Sequence, residues 1–495
     1  MLLCLVTGVW NSAAAQDSTR HWVGTWAAAP YNTTGQNIPP GFQDKTVRQI
    51  VRVSIGGDTV RVKFSNITCT SPVTMKSVTI AKSPDGTKSA VDAATITNLT
   101  FKGNSEVTIT AKSEVYSDPV AFDLDTSMRV AITIYYGKFT ASDNTTFHYG
   151  SRTNSYYLSG DKTASADFSG AQTIERWYTI SSIDVLAPKS SYAVAAIGNS
   201  ITDGASLTGG LQNRWTDRFS EALLANEATR EVGVLNLGIG ATLVTGASNG
   251  ADAGVNRFAH DILGQSGLHW VIIFYGVNDI AGGRSANDIF NGIKQMASEA
   301  HAKDTDIKVY GGTITPFNGS SYYSAAHEAT RNQINGMIRT STDLDGFVDF
   351  DKAIADPNNP SKMKQEYAQG GWNDWLHPGP AGHEAMGKCI DLEMFTPPPV
   401  PVKMDRRTNA TVNEIKITSV NGHPSVAFEL SGETFVSLKV YSILGREIAE
   451  LAGKSFAAGT HTIAVGNDIC ANGTYVYSLT AGDRSVSRKI VLSGN

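Results

Sequence analysis

The stretch Tyr192-Ala-Val-Ala-Ala-Ile-Gly-Asn-Ser-Ile-Thr-Asp-Gly204 decides the fold class of this chain. Its first six residues form a continuous apolar run, which predicts a strand buried on both faces. A glycine turn follows, and then Ser200. A serine on a strand-to-helix turn is exposed, and its backbone N–H can help to bind an oxyanion. Because Ser and Gly are also ordinary turn residues, the stretch alone leaves a plain turn as the alternative.

Further apolar runs of strand length occur at residues 234–237, 270–275, 307–310 and 346–350. Patterns typical of helices separate them, at residues 213–226, 286–301 and 325–340 and from Gly379-Pro380 onward. Near-continuous apolar strands that alternate with helices predict an α/β fold with a parallel sheet covered on both faces. Ligands bind such sheets at the carboxyl ends of the strands, so the chemistry is expected there.

Residues 20–188 have the pattern of short strands and turns. A β-hairpin is predicted from residues 47–55 and 59–64, because apolar runs flank the Gly-rich turn Gly56-Gly57-Asp58. Further strands are predicted at residues 73–81, 94–101, 106–111, 128–136 and 146–158. Many short strands without helices predict a β-sandwich domain.

A Pro-rich linker is predicted at residues 396–413, which begin with Thr396-Pro-Pro-Pro-Val-Pro401. Residues 414–495 then return to short strands, predicted at residues 436–443, 461–465, 474–479 and 485–492. The predicted order is therefore a β-sandwich at residues 20–188, an α/β domain at residues 190–395, the linker, and a small β-domain.

Composition excludes some classes of function. The chain has 495 residues, of which 41% are hydrophobic and 18% charged, with a formal net charge of −5. These values are those of an ordinary globular protein. With so small a net charge and no basic run, the sequence offers no electrostatic basis for binding nucleic acid or an anionic membrane.

The N-terminus predicts a signal peptide at residues 1–15. The apolar run at residues 2–9 is too short for a membrane span, which needs about 20 apolar residues. Ala13-Ala14-Ala15-Gln16 suits cleavage after Ala15. Export is therefore expected, with a buried N-terminal strand as the alternative, and no other stretch predicts a transmembrane span.

Four cysteines are present, and Cys4 would leave with the signal peptide. Cys69, Cys389 and Cys470 are far apart and lack the spacing of zinc ligands. We expect buried free thiols, with one disulfide as the alternative.

Asp374 and His377 lie three residues apart, shortly before the last predicted helix. A serine hydroxyl is a weak nucleophile, and it needs a nearby base that is itself oriented by an acceptor. Two further motifs lie between Ser200 and Asp374, each in a turn after a predicted strand. They are Asn236-Leu-Gly238-Ile-Gly240 and Gly276-Val-Asn278-Asp279. Glycine lets a backbone N–H approach a ligand closely, and an asparagine amide can donate to a developing oxyanion.

The four blocks, in this order, resemble those of the SGNH (GDSL-like) hydrolase superfamily, over residues 190–395. The resemblance implies a flavodoxin-like three-layer fold and hydrolysis of carboxylic esters without a metal or an organic cofactor. One departure is Asn199, where the commonest family version has Asp. It alters the nucleophile turn but removes no member of the triad.

The resemblance also implies a role for each matching residue. Ser200 is then the nucleophile, His377 the general base and later the general acid, and Asp374 the group that orients His377. The oxyanion hole is expected from the N–H of Ser200, the N–H of Gly238 and the side chain of Asn278.

The segment His21-Trp-Val-Gly-Thr-Trp-Ala-Ala-Ala-Pro30, with residues 47–64, resembles a subgroup of SGNH hydrolases that carry an N-terminal β-domain. Members of the subgroup are secreted esterases, several of which act on acetylated plant polysaccharides. The tryptophans of this segment are expected in the core of the β-domain.

The C-terminal domain resembles a sorting domain of the type IX secretion system, in segments such as Val440-Tyr-Ser-Ile-Leu-Gly445 and Asn472-Gly-Thr-Tyr-Val-Tyr477. The resemblance implies a Gram-negative, Bacteroidetes-like source, the type IX machinery as a partner, and location at the cell surface or in the medium. A generic Ig-like accessory domain is the alternative.

Substrate contacts are predicted for three residues, Trp372, Trp375 and Arg214. A tryptophan beside the triad can stack on a sugar ring, and Arg214 can bind a carboxylate or sugar, with a salt bridge as its alternative. Structural roles are expected for Asp203, Asp279 and His383.

The function expected from these observations is removal of O-acetyl groups from plant cell-wall polysaccharides such as xylan. A feruloyl or aryl esterase, or a lipase-like esterase, is the first alternative. An inactive glycan-binding or adhesion protein is the alternative of another class.

Overall fold

A computed structural model describes residues 19–32, 39–141, 145–248, 250–398, 412–420, 423–431, 433–443, 445–464, 473–481 and 484–492. The predicted signal peptide, most of the linker and Cys470 lie outside these residues. The chain divides into two compact units, Met1–Pro397 and Pro398–Asn495. Within the described residues, no helix is both long and apolar enough to cross a membrane.

The first unit begins with antiparallel strands. They are β1 Arg20–Ala27, β2 Lys45–Arg52, β3 Gly57–Ser65, β4 Val73–Lys82, β5 Thr97–Leu99, β6 Val107–Ile109, β7 Glu114–Tyr116, β8 Val120–Leu124, β9 Arg129–Tyr136, β10 Phe147–His148, β11 Ser155–Ser159, β12 Gln172–Ile174, β13 Trp177–Tyr178 and β14 Ile180–Pro188. A five-stranded sheet contains β1, β14, β3, β7 and β8, and a seven-stranded sheet contains β12, β11, β2, β9, β4, β5 and β6. β10 pairs with β13. These sheets confirm the predicted β-rich start of the fold.

The predicted hairpin of residues 47–55 and 59–64 is wrong. β2 pairs with β9 and β11, whereas β3 pairs with β14, β7 and β8, so the two strands lie in different sheets. The link between them turns a corner at Gly56, where a Cβ would lie 2.3 Å from the carbonyl oxygen of Leu124. A short glycine turn therefore marks a change of sheet here.

The predicted single strand at residues 146–158 is also wrong, because it forms β10 and β11 with a loop at residues 149–154 between them. Of the cysteines, Cys69 is buried as predicted, whereas Cys389 is exposed at the end of the last helix; both are free thiols.

The parallel sheet confirms the predicted α/β fold. Its strands, with the helices and short strands that follow them, are β15 Tyr192–Gly198, α1 Ser200–Asp203, α2 Trp215–Ala225, β16 Val232–Gly238, α3 Gly254–Asp261, β17 Leu268–Phe274, α4 Val277–Ala281, α5 Ala286–Lys303, β18 Lys308–Gly312, α6 Ala325–Thr340, β19 Gly346–Val348, α7 Phe350–Ile354, β20 Ala355–Asp356, β21 Asn359–Met363, α8 Gln365–Ala368 and α9 Pro380–Lys388. The strand order β16-β15-β17-β18-β19 puts β15 and its carboxyl end inside the sheet.

The β-sheets and the parallel sheet share one core. A single cluster of buried apolar side chains includes Val23 and Val62 of the first region and Leu235 and Ile273 of the second. β1 passes so close to β16 that a Cβ on Gly233 would lie 2.2 Å from the carbonyl oxygen of Gly24. Shared burial on this scale makes the β-rich region part of the same folded body as the parallel sheet.

The second unit is a small antiparallel β-sandwich. Its strands are β22 Val412–Val420, β23 His423–Leu430, β24 Thr434–Ser442, β25 Glu447–Phe456, β26 Gly459–Ala464, β27 Gly473–Ala481 and β28 Arg484–Leu492. They form a three-stranded sheet, β22-β23-β26, and a four-stranded sheet, β25-β24-β27-β28. Val426 and Phe428 of one sheet share a core with Leu438 and Tyr477 of the other. The predicted small β-domain of this region is thereby confirmed.

Candidate active site

Ser200 is the first residue of α1, and only Asn199 separates it from β15, an interior strand of the parallel sheet. Asn199 caps the helix, because its side-chain oxygen accepts from the N–H of Ile201 at 3.2 Å. Glycine is required at Gly198, where a Cβ would lie 2.6 Å from the carbonyl oxygen of Phe274. The turn at Gly204, with φ of 90°, ends the helix after one turn. Strand, cap and glycines together place the serine at the carboxyl end of the sheet.

Ser200, His377 and Asp374 form a continuous hydrogen-bonded series. Ser200 Oγ lies 2.8 Å from His377 Nε2, and His377 Nδ1 lies 2.7 Å from Asp374 Oδ2. A carboxylate only accepts, so Nδ1 carries the proton and Nε2 is free to accept from the serine hydroxyl. The residues come from the two ends of the domain, and the fold brings them within direct contact.

The carboxylate of Asp374 is held ionised. Partial burial would raise its pKa, but the His377 ring and the backbone N–H groups of His377 and Leu376 donate to it and lower the pKa to about 2. The residues on either side, Asn373 and Trp375, have φ of 56° and 59°. Asparagine adopts a left-handed backbone readily, but for Trp375 it costs about 1–2 kcal/mol, and such strain is typical of functional loops.

Gly238 does not have the predicted role in the structure. Its N–H donates to Asn236 Oδ1 at 3.0 Å, so it is already engaged. A Cβ on Gly238 would lie 2.5 Å from the backbone nitrogen of Asp203. The structure therefore corrects the prediction: glycine is needed here because the end of β16 packs against α1, and the free donor must be sought further along the turn.

The next free donor is Ala241. Among the described residues, its N–H has no hydrogen-bond acceptor, and its φ is 63°. We call residues 238–242 the donor loop. This loop wraps the end of β15, since the N–H of Ile239 donates to the carbonyl of Gly198 at 3.1 Å. Asn278 lies against it and donates through Nδ2 to the carbonyl of Thr242 at 3.0 Å, which leaves its second amide hydrogen for a ligand.

Trp372 lies beside the triad, as predicted for a substrate contact. The residue is 59% exposed, and its ring meets the His377 ring edge-on with 4.8 Å between the centroids. Trp375 differs, because Lys362 Nζ lies over its ring at 3.8 Å and Gly319 packs against it. Trp375 borders an open concavity of about 480 Å³ that also includes Asn373. Its ring is a poorer stacking surface than that of Trp372.

Arg214 is not available to a substrate, which corrects the third predicted contact. The residue is buried, and its guanidinium donates to the carbonyls of Asp203 at 3.0 Å and Ser151 at 2.7 Å. It also pairs with Asp217 at 3.5 Å. Its N–H groups form hydrogen bonds that join the β-rich region to the nucleophile turn. The structure thus agrees with the alternative, in which Arg214 forms a salt bridge.

Asp279 and His383 have structural partners. Asp279 accepts from the N–H of Val244 at 3.0 Å. His383 is buried and accepts from the N–H of Trp215 at 3.0 Å, and burial lowers its pKa to about 3, so it stays neutral. Within the described part of the chain, no group of three or more His, Cys, Asp or Glu side chains is arranged to hold a metal ion.

One residue near the site was missed by the sequence analysis. His148 belongs to the β-rich region, and its Nε2 lies 3.1 Å from Asp203 Oδ1. Asp203 is the last residue of α1, the short helix that begins at Ser200. A cavity of about 40 Å³ lies behind this turn and is lined by both residues, but not by Ser200 or His377. No local signal marked His148, because its partner is distant in sequence.

A three-layer α/β fold with a Ser–His–Asp series at the carboxyl edge of its sheet defines a domain of the serine hydrolase type. Residues 196–385 match the model of the GDSL-like Lipase/Acylhydrolase family. The chain therefore contains a GDSL-like, or SGNH, hydrolase domain, with additional β-rich regions on both sides. None of the curated proteins compared with the chain matches it.

Several solved structures resemble the hydrolase domain at low identity. A carbohydrate acetylesterase family member from Sinorhizobium meliloti is 15% identical, with a TM-score of 0.34, and covers 41% of this chain and 99% of its own. A catalytic mutant of an acetylxylan esterase from Geobacillus stearothermophilus is 19% identical, with a TM-score of 0.32, and covers 41% and 94%. A member of the lipolytic G-D-S-L family from Veillonella parvula is 17% identical, with a TM-score of 0.30, and covers 42% and 99%. These likenesses say nothing about the substrate of this chain.

Proposed function

We propose that this protein is a carboxylic-ester hydrolase that uses Ser200 as nucleophile, His377 as general base and Asp374 as the group that orients His377. The hydrogen-bonded series from Ser200 Oγ through the His377 ring to Asp374 carries the proposal. The tautomer that Asp374 imposes is the one in which Nε2 can take the serine proton. This intact series also argues against an inactive binding or adhesion protein.

In the proposed reaction, Ser200 Oγ attacks the ester carbonyl while His377 Nε2 takes its proton. The negative oxygen of the tetrahedral intermediate accepts from the N–H groups of Ser200 and Ala241 and from the Asn278 amide. The alcohol then leaves with the proton from His377. Water attacks the acyl-enzyme with His377 again as base, and the acid and free serine are formed. Besides the ester and water, these steps use only groups of this chain.

We propose O-acetyl groups on plant cell-wall polysaccharides such as xylan as the substrate. Trp372 supports this choice, because its exposed ring lies beside His377 and offers a flat surface for a sugar. The same ring could pack on an aromatic acyl group, which makes a feruloyl or aryl ester the second candidate. A lipase-like esterase is less favoured, because the sequence predicts no long apolar lid.

We also propose export and attachment through the C-terminal domain, with the type IX machinery as partner. The signal-peptide pattern and the C-terminal segments that resemble a sorting domain support this proposal. Fractionation of the producing cells would test it. The protein is expected in the medium or on the surface, and retention inside the cell would contradict it.

The first experiment measures acetate release from acetylated xylan, with p-nitrophenyl acetate and methyl ferulate in parallel. Ser200→Ala should abolish hydrolysis of every ester that the natural chain cleaves, and full activity of this variant would refute the mechanism. Release of acetate from the polymer would support the proposed substrate. Activity on the small esters alone would retain the mechanism and point to an aryl or feruloyl esterase.

Trp372→Ala distinguishes binding of the sugar from chemistry. Loss of a stacking ring should raise KM for the polymer by roughly 2- to 10-fold, with a smaller effect on p-nitrophenyl acetate. Trp375→Ala is the matched control, because the ring of Trp375 is covered by Lys362. An equal effect of both variants on the polymer would exclude Trp372 as a specific sugar contact.

A further inference from the structure

His148 bridges the β-rich region and the helix turn of the nucleophile. Its ring is buried, with Nδ1 3.0 Å from the carbonyl oxygen of Ala29 and Nε2 3.1 Å from Asp203 Oδ1. A carbonyl and a carboxylate both accept only, so each ring nitrogen must carry a proton. His148 is therefore an imidazolium ion that pairs with a buried carboxylate.

Asp203 remains ionised in this environment. Burial would raise its pKa, but the charge of His148 and the hydrogen bond from its ring lower it, and Arg152 and Arg214 act in the same direction. Gly150 packs against the carboxylate so closely that a Cβ would lie 1.9 Å from Oδ1. The position of the carboxylate is thus defined by packing as well as by charge.

The second oxygen of Asp203 reaches the donor loop. Oδ2 accepts from the N–H of Gly240 at 3.1 Å, one residue before Ala241. On its other side the loop is held by Asn278, which donates to the carbonyl of Thr242. The Ala241 N–H is therefore held between two fixed points, one of which depends on Asp203.

Two aromatic rings fix the orientation of His148. Trp177 stacks on it with 5.7 Å between the centroids and an angle of 28°, and Tyr31 meets it edge-on at 5.9 Å. Both aromatic residues belong to the β-rich region. The series Ala29, His148, Asp203 and Gly240 is thus a buried connection from that region to the donor loop.

We propose that His148 is a positioning residue for ester hydrolysis, which holds Asp203 and through it the Gly240 N–H, so that the donor loop faces the developing oxyanion. The inference rests on the proposed function of Ser200. It gives the β-rich region a direct part in catalysis, although none of its residues belongs to the triad.

Removal of the imidazolium should act on the transition state. Loss of His148 removes the hydrogen bond to Asp203 Oδ1 and weakens the stabilisation of a buried carboxylate, so Asp203 would shift or take up a proton and release the loop. Since the oxyanion forms only during the reaction, kcat should fall while KM changes little. We expect a loss of about 10- to 100-fold, below the ~100- to 1000-fold typical when an oxyanion donor is removed outright.

The experiment compares His148→Phe, which retains a ring against Trp177, with His260→Phe. His260 also joins the two regions, through Asp261 at 2.8 Å and Glu114 at 3.2 Å, but no hydrogen bond among the described residues joins it to the donor loop. We would measure kcat and KM for p-nitrophenyl acetate and the inhibition constant of phenylboronic acid, whose adduct with serine imitates the tetrahedral intermediate. In His148→Phe the inhibition constant should rise by about the factor by which kcat falls.

A double-mutant cycle tests the route through Asp203. If His148 acts through Asp203, the double variant His148→Phe/Asp203→Asn should lose less activity than the product of the two single losses. His148→Gln keeps a hydrogen-bond donor for Asp203, so its kcat should be higher than that of His148→Phe. If His148→Phe does not fold, His148→Gln replaces it in every comparison.

Three results would overturn the inference: wild-type kcat in the folded His148 variant, equal losses in the His148 and His260 variants, or fully multiplicative losses in the cycle. Failure of the proposed function gives a different result. The Ser200→Ala variant would then hydrolyse the same esters as the natural chain.

Discussion

Ala241 is an alanine where the backbone favours glycine. Its φ is 63°, and its N–H is free among the described residues. Left-handed backbone costs an alanine about 1–2 kcal/mol, and such a cost is tolerated where the surrounding structure imposes it. Asp203 on one side of the donor loop and Asn278 on the other impose it here. The strained residue is thus the one whose N–H we assign to the oxyanion.

The strain at Ala241 predicts a gain in stability on substitution. Ala241→Gly should raise the free energy of unfolding by about 0.5–1 kcal/mol, because relief of the left-handed strain exceeds the added entropy of the unfolded chain. Urea denaturation measures this. Ala329→Gly, at an exposed interior position of α6, is the control and should lower the free energy by about 0.5–1 kcal/mol. A loss of stability in both variants would contradict the assigned conformation.

Contact between β16 and α1 sets the geometry of the site at the scale of elements. Gly238→Ala should lower the free energy of unfolding by about 1–3 kcal/mol and impair hydrolysis, because its Cβ would meet the backbone of α1 at 2.5 Å. Gly336→Ala is the matched control on α6, where nothing lies within 4 Å of the new Cβ. It should raise the free energy by up to about 1 kcal/mol. Urea denaturation and the rate with p-nitrophenyl acetate test both, and unimpaired stability of Gly238→Ala would contradict the described packing.

A second histidine bridge makes the contact between α3 and the β-rich region sensitive to pH. Hydrogen bonds from His260 to Asp261 and Glu114 raise its pKa from 6.5 to about 10, while the pKa of Glu114 falls to about 2. Because the pKa of His260 is higher in the folded state, its contribution is complete below pH 6.5 and is lost as the pH rises to about 10.

The corresponding variant is His260→Gln. Its melting temperature should lie furthest below that of the natural chain near pH 6, and the difference should shrink toward pH 10. Thermal melts at both pH values, at one ionic strength, measure this. A difference that grows with pH would show that the histidine is neutral in the folded protein.

At the scale of the whole molecule, the β-rich region and the parallel sheet behave as one body. They share a continuous core, which includes Val23 and Leu235. A chain of residues 190–397 would expose the apolar face that β1 covers, so it should aggregate or fail to melt cooperatively. Residues 19–397 should fold with one cooperative transition and retain esterase activity. Cooperative folding of residues 190–397 alone would contradict the shared core.

Local sequence was sufficient to predict the fold class and the three residues that the structure joins in one hydrogen-bonded series. The apolar run at residues 192–197, with its glycine turn, predicts a buried strand that is followed by Ser200, and Asp374 and His377 lie only three residues apart. Functional groups collect at the carboxyl ends of parallel strands, so Ser200 was expected there, with the loop of Asp374 and His377 that precedes α9 beside it. Patterns of this kind depend on periodicity and turn chemistry, which neighbouring residues determine.

The tertiary structure decided the rest. A glycine turn at Gly56 indicated a hairpin, but pairing with distant strands placed β2 and β3 in different sheets. The direction of the Gly238 N–H, the burial of Arg214 and the contact of His148 with Asp203 likewise depend on groups far away in the chain. Local sequence predicted the residues to which we assign the chemistry. Only the packing of the β-rich region against the nucleophile turn determined which donors are free and what holds them, because those are properties of contacts between distant segments.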